Sequence, residues 1–560
     1  MSILESAKTS APGTHVVTNQ PPPLENYNAF TENRPLAEGL AREHADWAIE
    51  QARALGSLTG GGEAIEWARQ AHRNPPLLHT HDRFGHRIDQ VEYHPAWHEI
   101  LRLAVEHGCH SLAWREQRAG AHVARAVLAM LMWQLEPGHG CPMSMTYSAV
   151  PALRTTPELA AEWEPRLTST TYDPRPLPAD QKTGALCGMA MTEKQGGSDV
   201  RGNTTAARPL GAGGPGGEYR LTGHKWFCSA PMSDAFLVLA QTESGLSCFL
   251  LPRILPDGTR NAFALQRLKD KLGNRSNASA EVEFDGAWAQ LVGPEGRGVP
   301  TIIQMVSHTR LDNVLGTTAG MRQAVEEATW HAAHRYAFGH RLIEAPLMQN
   351  VLADLCLETE AATVTALRLA RAHDADADAD ADEHEQAFKR VATAVGKYWV
   401  CKRGPAHAAE ALECLGGNGY IEESAMPRRY REQPLMSIWE GSGNVICLDV
   451  LRAMTRSPET SDAFVDEVDL AAGTDRRFDH HVTQLKNQLA NYTEGEQSAR
   501  RLVENMALAL QGSLLLRHAP PAVADAFCVA RLDNQTGLEY GTLPPGLQLA
   551  SIIERHTVSA

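Results

Sequence analysis

The chain has 560 residues, of which 43% are hydrophobic and 21% charged, and its formal net charge is -15. That length exceeds one ordinary core and predicts several domains able to enclose a large ligand, while the acidic balance excludes a surface that is basic all over. No apolar stretch is long enough to cross a bilayer, and residues 1–23 lack the basic start and apolar run of a secretory leader, so no membrane partner and a cytoplasmic setting are expected.

Residues 1–57 are read as an N-terminal extension. From Thr59 to about Leu135 apolar residues recur every three or four positions (Ala64, Ile65, Trp67, Ala68, Ala71; Trp97, Ile100, Leu101, Ala104), which predicts an α domain over 58–182. Past the proline-rich stretch Asp173–Pro178 the texture changes. Short β-branched and aromatic runs at Tyr219–Thr222, Ala235–Gln241, Ser247–Leu251 and Glu281–Phe284, separated by glycine turns, predict a middle β domain over 183–292. Helical periodicity returns after Gly298, with long amphipathic stretches at Ile302–Tyr336, Leu347–Ala372 and Glu385–Glu413 and one more nearer Met454. These predict a helical bundle over 293–456. The Asp-Ala repeat between His373 and Glu383 reads as a solvated loop. A last helical domain, 457–560, includes Phe478–Asn491 and Ser498–Leu516. The fold class is therefore mainly α with a central β domain and a C-terminal helical extension.

Ten cysteines stand singly without CxxC pairs, which suits reduced core thiols. His480-His481 and the pair His331 and His334 lack partners at metal-ligand spacing, so no metal is expected.

Three segments carry chemistry beside a fourth that dominates. In Ile438-Trp439-Glu440-Gly441-Ser442-Gly443-Asn444-Val445-Ile446-Cys447-Leu448 a carboxylate lies between an indole and a Gly-Ser-Gly turn. Apolar burial raises a carboxyl pKa toward a value useful for removing a weakly acidic proton, and glycine permits close backbone approach to a flat cofactor. The other reading is a helix start, with Ser442 or Asn444 as cap. Met191-Thr192-Glu193 running into Gly196-Gly197-Ser198-Asp199 exposes backbone N–H groups to a polar ring edge, without the spacing of a P-loop or a dinucleotide fingerprint. Gly223-His224-Lys225-Trp226-Phe227-Cys228-Ser229 sets two large rings before a small hydroxyl, as would cover a heteroaromatic system or pack in a β core. Leu412 to Tyr420, with Gly416 and Gly417, either caps a helix or admits phosphates.

Taken together and in this order, the segments resemble the acyl-CoA dehydrogenase family over roughly Gly184 to Arg452. Thr192-Glu193 with Gly197 to Val200 looks like its TEPGAGSDV segment and Gly223 to Ser229 is similar to its GxKxWIT segment. Arg335 with Phe338-Gly339 resembles its R..FG, and Glu413 to Tyr420 its QxxGGxGY. Glu440-Gly441-Ser442 falls where the family's catalytic Glu-Gly-Thr belongs. Lys194-Gln195 replaces the family's Pro-Gly, and Glu413 its glutamine. A closer likeness, to the family's alkylation-response branch, spans nearly the whole chain through Met191–Val200, Arg267–Ser279 and Ser437–Asn444.

The resemblance implies an α domain, a β domain and a four-helix bundle enclosing FAD, in a homotetramer. The flavin is expected against Met191, Thr192, Gly197 and Ser198, under Trp226, Phe227 and Cys228, with Ser229 at the isoalloxazine edge, and along Ile438, Trp439, Gly441 to Asn444 and Leu448. Arg335, Phe338, Gly416 and Gly417 are further cofactor residues. Glu440 is the expected base for α,β-dehydrogenation of a short or branched acyl-CoA, with Ser198 and Arg310 on the substrate side. The alternative is a flavin-containing protein that binds double-stranded DNA and protects it from alkylation with little or no dehydrogenase activity. For that reading Arg476, Arg477, Lys486, Arg500, Arg501 and Arg517 would form a phosphate-facing stripe near Phe478 and Tyr492, although residues 457–560 hold 8 Lys/Arg against 14 Asp/Glu. A second basic cluster, Lys397, Lys402, Arg403, Arg428, Arg429 and Arg431, can supply a positive field or hold pyrophosphate.

Overall fold

The computed structural model describes residues 13–374, 383–490 and 495–559; the Asp-Ala run at 375–382 and Tyr492 lie outside the described residues. The N-terminal helices are α1 (Arg34–Arg42), α2 (Ile49–Thr59), α3 (Gly62–Arg73), α4 (Pro95–Glu106), α5 (Ala121–Leu135), α6 (Gly140–Leu153) and α7 (Pro157–Leu167). Residues 34–57, part of the stretch read from sequence as extension, bury Leu36, Leu40 and Leu55 in the same core as α5. The helical reading of residues 59–135 is interrupted by an antiparallel hairpin, β1 (Leu77–His81) with β2 (Arg87–Glu92). Its strands are short and half-exposed, and their period of two is hidden among longer helical patterns. Every residue of α5 is buried, as its nearly uninterrupted apolar sequence requires, and its one ionised group, Arg125, meets Asp312 of the bundle with Nη2 at 2.8 Å.

The middle domain is a sheet of β3 (Cys187–Ala190), β4 (Ala206–Pro209), β5 (Glu218–Ser229), β6 (Ala235–Thr242), β7 (Gly245–Pro252), β8 (Phe263–Leu268) and β9 (Ser279–Val292). The order is β3-β6-β4-β5-β9-β7, with β8 beside β9, and a further β6–β7 pairing curls the sheet onto itself. Alternate residues of β5, β6 and β9, among them Tyr219, Leu221, Phe236 and Val282, fill its interior.

The bundle comprises α8 (Gly298–His334), α9 (Pro346–Asp374), α10 (Glu383–Glu413) and α12 (Gly443–Arg456), and between the last two lies α11 (Met426–Met436), which sequence reading did not anticipate. Its buried threonines, including Thr317, Thr318, Thr359 and Thr365, donate to carbonyls four residues back, so polar side chains cost the core little. Arg428 and Arg429 do not form a surface field: both are buried on α11, donating to the carbonyls of Ala68, Leu135 and Gln134.

The C-terminal region, with α13 (Glu459–Asp469), α14 (Arg476–Ala490) and α15 (Ala499–His518), packs on the bundle. Arg368 of α9 meets Glu467 at 2.6 Å, Arg531 meets Glu358 at 3.2 Å, and Arg555 joins Glu360 at 2.8 Å with Glu38 at 2.7 Å. All ten cysteines are free and buried. Among the described residues no group of three His, Cys, Asp or Glu is placed to hold a metal, and no helix is long and apolar enough to cross a membrane.

Candidate active site

Between α11 and α12 the chain turns sharply, and Glu440 stands at the turn with φ of 57°, a left-handed conformation uncommon for a residue with a Cβ. Gly441 follows with φ of 111°. Two cations and an amide from the bundle clamp this turn through its carbonyls: Arg310 Nε donates to Glu440 O at 3.1 Å, Asn313 Nδ2 to Trp439 O at 3.5 Å, and Lys397 Nζ to Gly441 O. Arg310 is itself held by Asp449 at 2.7 Å. The Glu440 carboxyl accepts one hydrogen bond, from Thr309 Oγ1 at 2.8 Å. Desolvation raises its pKa against the lowering pull of Thr309, Arg310 and Lys397, while burial brings Lys397 down to about 8. A carboxylate with one donor and no direct ion pair among the described residues, and with a raised pKa, is suited to accept a proton. The helix-start reading describes the local backbone, because Ser442 is the N-cap residue of α12, without a side-chain cap hydrogen bond, and Glu440 sits outside that helix.

The β domain supplies the facing wall. The ladder between β5 and β9 slips between Lys225 and Cys228, and this bulge turns Trp226 and Phe227 outward, leaving Phe227 47% exposed. Lys269, paired with Glu281, lies 3.0 Å from the Trp226 ring centroid. Beneath the bulge Lys225 and Glu193 form a buried ion pair at 2.8 Å, and Glu193 also accepts from the backbone of Thr204 and Thr205 at 2.7 and 3.1 Å. These donors hold the Glu193 carboxyl far below its usual range after desolvation is offset. Two prominent residues of the sequence motifs thus fasten the turn rather than face a ligand. Gly197 lies against Thr192, where a Cβ would come within 2.6 Å of the hydroxyl oxygen. Ser198 is exposed.

Met191, Trp439, Cys141 and Ala230 pack in one apolar cluster, which joins the Glu440 turn to the β wall. The Cys141 thiol lies beside the Ser229 hydroxyl and within the electrostatic reach of Glu440. Ile438 is 61% exposed on the same turn, and Leu448 lies half-buried along α12. Cys228 differs from expectation: its side chain is buried inside the β domain, so only its backbone can face a cofactor. Trp439 Nε1 is buried without a hydrogen-bond partner, and the Asn277 carboxamide, 1% exposed, makes no hydrogen bond beyond its approach to Cys141. The outward rings of the β domain, the unspent polar atoms of Trp439 and Asn277 and the Ser229 hydroxyl, linked to the Glu440 turn through the apolar cluster and Cys141, fit a flat group with a polar edge.

Other expected residues lie elsewhere. Arg335 is 25 positions beyond Arg310 on or just past α8, roughly 37 Å along the axis. Arg335 donates to Asn19 O, and Phe338, at the tip of a small hairpin, is 98% exposed. Gly416 and Gly417, also exposed, follow the far end of α10, where Asn418 contacts Gln20 at 3.2 Å. Along the helix axes these four lie away from the Glu440 turn, past the C-terminal ends of α8 and α10.

Of the six C-terminal basic residues expected to form a phosphate-facing stripe, most are engaged by other side chains. Arg477 pairs with Asp475 and Asp525, Lys486 with Asp469, and Arg517 with Glu467. Arg500 turns to the start of α12, donating to Asn444 Oδ1 at 2.8 Å, while Arg476 and Arg501 are exposed. Thr309 and Asn313 contact the Glu440 turn although sequence reasoning assigned them no role, and Lys397, read in sequence as part of a basic cluster, instead holds the Gly441 carbonyl; all three lie far from Glu440 in the chain, and no local motif marks these contacts.

Over 527 residues the chain is 47% identical to AidB of Escherichia coli (strain K12), spanning 94% of this chain and 96% of that one. The chain belongs to the acyl-CoA dehydrogenase family. Residues 19–174 match the N-terminal domain of the adaptive response protein AidB, 188–287 the acyl-CoA dehydrogenase middle domain and 296–455 its C-terminal domain. Acyl-CoA dehydrogenase family member 11 of Caenorhabditis elegans is 30% identical over 84% of this chain and 76% of its own. The crystal structure of C. elegans ACDH-11 in complex with C11-CoA superposes with a TM-score of 0.84 at 27% identity, covering 95% of each chain. By family the protein is an acyl-CoA dehydrogenase-type oxidoreductase, and the α domain, β domain and bundle expected from that resemblance are present.

Proposed function

We propose that the chain binds FAD between the Trp226–Ser229 wall and the Ile438–Leu448 segment, and that Glu440 takes the α proton of a short or branched acyl-CoA. The observation that carries this reading is the Glu440 carboxyl itself. It is clamped at a left-handed turn, desolvated, free of a direct ion pair among the described residues, and joined to the β domain through the apolar cluster of Trp439, Met191 and Ala230. When bound, FAD supplies the two-electron acceptor for the β hydrogen, which leaves as hydride. The α C–H bond breaks with its proton going to Glu440, and its electron pair becomes the new C=C bond as the β C–H bond breaks. Thr309 steadies the carboxylate, Arg310 and Lys397 fix its backbone, and the apolar cluster around Met191 and Trp439 excludes water. The ACDH-11 complex, whose ligand is an acyl thioester, supports the substrate class.

The setting we propose is the adaptive response to DNA alkylation, on the strength of the N-terminal match and the likeness to AidB. We also propose a homotetramer, in which the exposed Arg335–Phe338 hairpin and the Gly416-Gly417 turn meet a neighbour's cofactor. Their distance from Glu440 and their exposure support this. A second reading, binding of double-stranded DNA, is favoured by the exposed Arg476 and Arg501. It expects duplex affinity that falls steeply with salt and weakens when both are replaced by alanine; salt-independent binding speaks against it.

The test of the leading reading is uptake of FAD by the full-length protein followed by anaerobic addition of short and branched acyl-CoAs. Flavin absorbance that bleaches with a thioester supports it; a colourless protein that cannot be loaded removes it.

A further inference from the structure

The run Arg267–Ser279 takes no part in holding the base, yet one of its side chains reaches the cofactor wall. Lys271 Nζ donates to Asn277 O at 2.6 Å and to Ser279 Oγ at 2.9 Å. Ser279 Oγ lies 3.1 Å from Ser229 Oγ, and the two serines are direct cross-strand partners on β9 and β5. Lys269, two residues earlier, is neutralised by Glu281 at 2.6 Å, whereas among the described residues no carboxylate lies within ion-pair distance of Lys271. Burial brings its ammonium down to about 8, with Cys141 and Glu432 holding it up.

These contacts fix the direction of a hydrogen-bond chain. An ammonium only donates, so Ser279 accepts from Lys271 and has its own proton left for Ser229. Ser229, accepting in turn, keeps its hydroxyl proton to donate, with the Cys141 sulfur beside it as the acceptor that a ligand in the cleft would replace. Two serines alone could point either way; the lysine removes that freedom, and its uncompensated charge lies behind them in a region of low dielectric.

We propose that Lys271, acting through Ser279 and Ser229, is a positioning residue that sets the Ser229 hydroxyl as a donor to the flavin edge and makes the bound flavin easier to reduce. This rests on the reading that FAD lies along Ser229.

The experiment is the midpoint potential of the flavin in full-length protein loaded with FAD, measured by anaerobic dye equilibration for wild type, K271M, K271R and S279A. K271M is expected to lower the equilibrium constant for two-electron reduction about tenfold, which is about 30 mV. S279A, which keeps the charge but breaks the chain, is expected to lower it about threefold, and K271R to stay within about twofold of wild type. Apoprotein melting temperatures are taken alongside. A lysine that merely holds the Asn277 loop would lower the melting temperature and leave the potential of the bound flavin unmoved, which overturns the proposal. If K271M does not fold, S279A decides it: the expected loss supports the chain and an unchanged potential refutes it. Failure of the wild type to take up FAD would instead overturn the cofactor reading.

Discussion

At Glu440 two opposing effects set the working pH of the site. Desolvation raises the carboxyl pKa, and the Thr309 hydroxyl, which donates only to the advantage of the ionised form, restrains it. Replacing Thr309 with valine removes that donor and is expected to move the acid limb of the pH profile for flavin reduction upward by about 1 unit, since a hydrogen bond to a charged group is worth roughly 1.5 kcal/mol or more. An unmoved limb would show that Thr309 does not govern the base. Much of this site is legible in sequence because its chemistry is local: the indole, carboxylate and glycines of Trp439 to Gly443 are consecutive. Its supports are not, because Thr309 meets Glu440 across 131 positions and Lys397 meets Gly441 across 44. Such contacts leave no periodic or compositional trace.

Elements are joined here by buried polar pairs, and these carry the stability predictions. Lys225 and Glu193 tie the Thr192–Gly197 turn to β5, so K225M leaves a buried carboxylate without its cation and is expected to cost about 3–5 kcal/mol in chemical denaturation. A loss under about 1 kcal/mol would mean that the pair is dispensable. Glu432 of α11 accepts from Asn274 N at 2.7 Å across the interface with the β domain, and burial raises it to about 7. A folded pKa above the unfolded value means that the native state holds the proton more tightly. Its contribution is therefore full below about pH 4.5 and is lost as pH rises through about 7. E432Q is expected to flatten the fall in melting temperature between pH 5 and 8, by an amount worth about 3 kcal/mol for the shift cited. An identical slope in the variant contradicts the assignment. At this scale the long helices and the strands of the β domain were readable from period and glycine turns. The β1–β2 hairpin was not, because two half-exposed strands of five and six residues carry too little pattern beside α3 and α4.

At the scale of the whole molecule, described segments near both termini are bound into the centre. Arg322, buried in α8, donates to Glu32 O at 2.7 Å and His556 O at 2.9 Å, so the first and last segments close on one guanidinium. Arg555 ties the tail to both Glu38 and Glu360. The C-terminal region, which reads in sequence as appended, also covers the bundle with Met506, Leu510 and Leu514. A chain ending near Thr455 is therefore expected to be insoluble or to lose cooperative unfolding; a soluble truncation with the melting temperature of the full chain would refute this. Sequence pattern marks the region as helical but cannot show that its contacts are obligatory, since charge pairs such as Arg368 with Glu467 join residues 99 apart.

The measurement that tests the central claim most directly is anaerobic flavin bleaching by a short branched acyl-CoA in wild type and E440Q, each loaded with FAD. Rapid bleaching in the wild type, with at least a hundredfold slower bleaching in a variant that keeps its flavin spectrum, is the predicted result. Equal bleaching in the two proteins would show that the carboxyl at 440 is not the base.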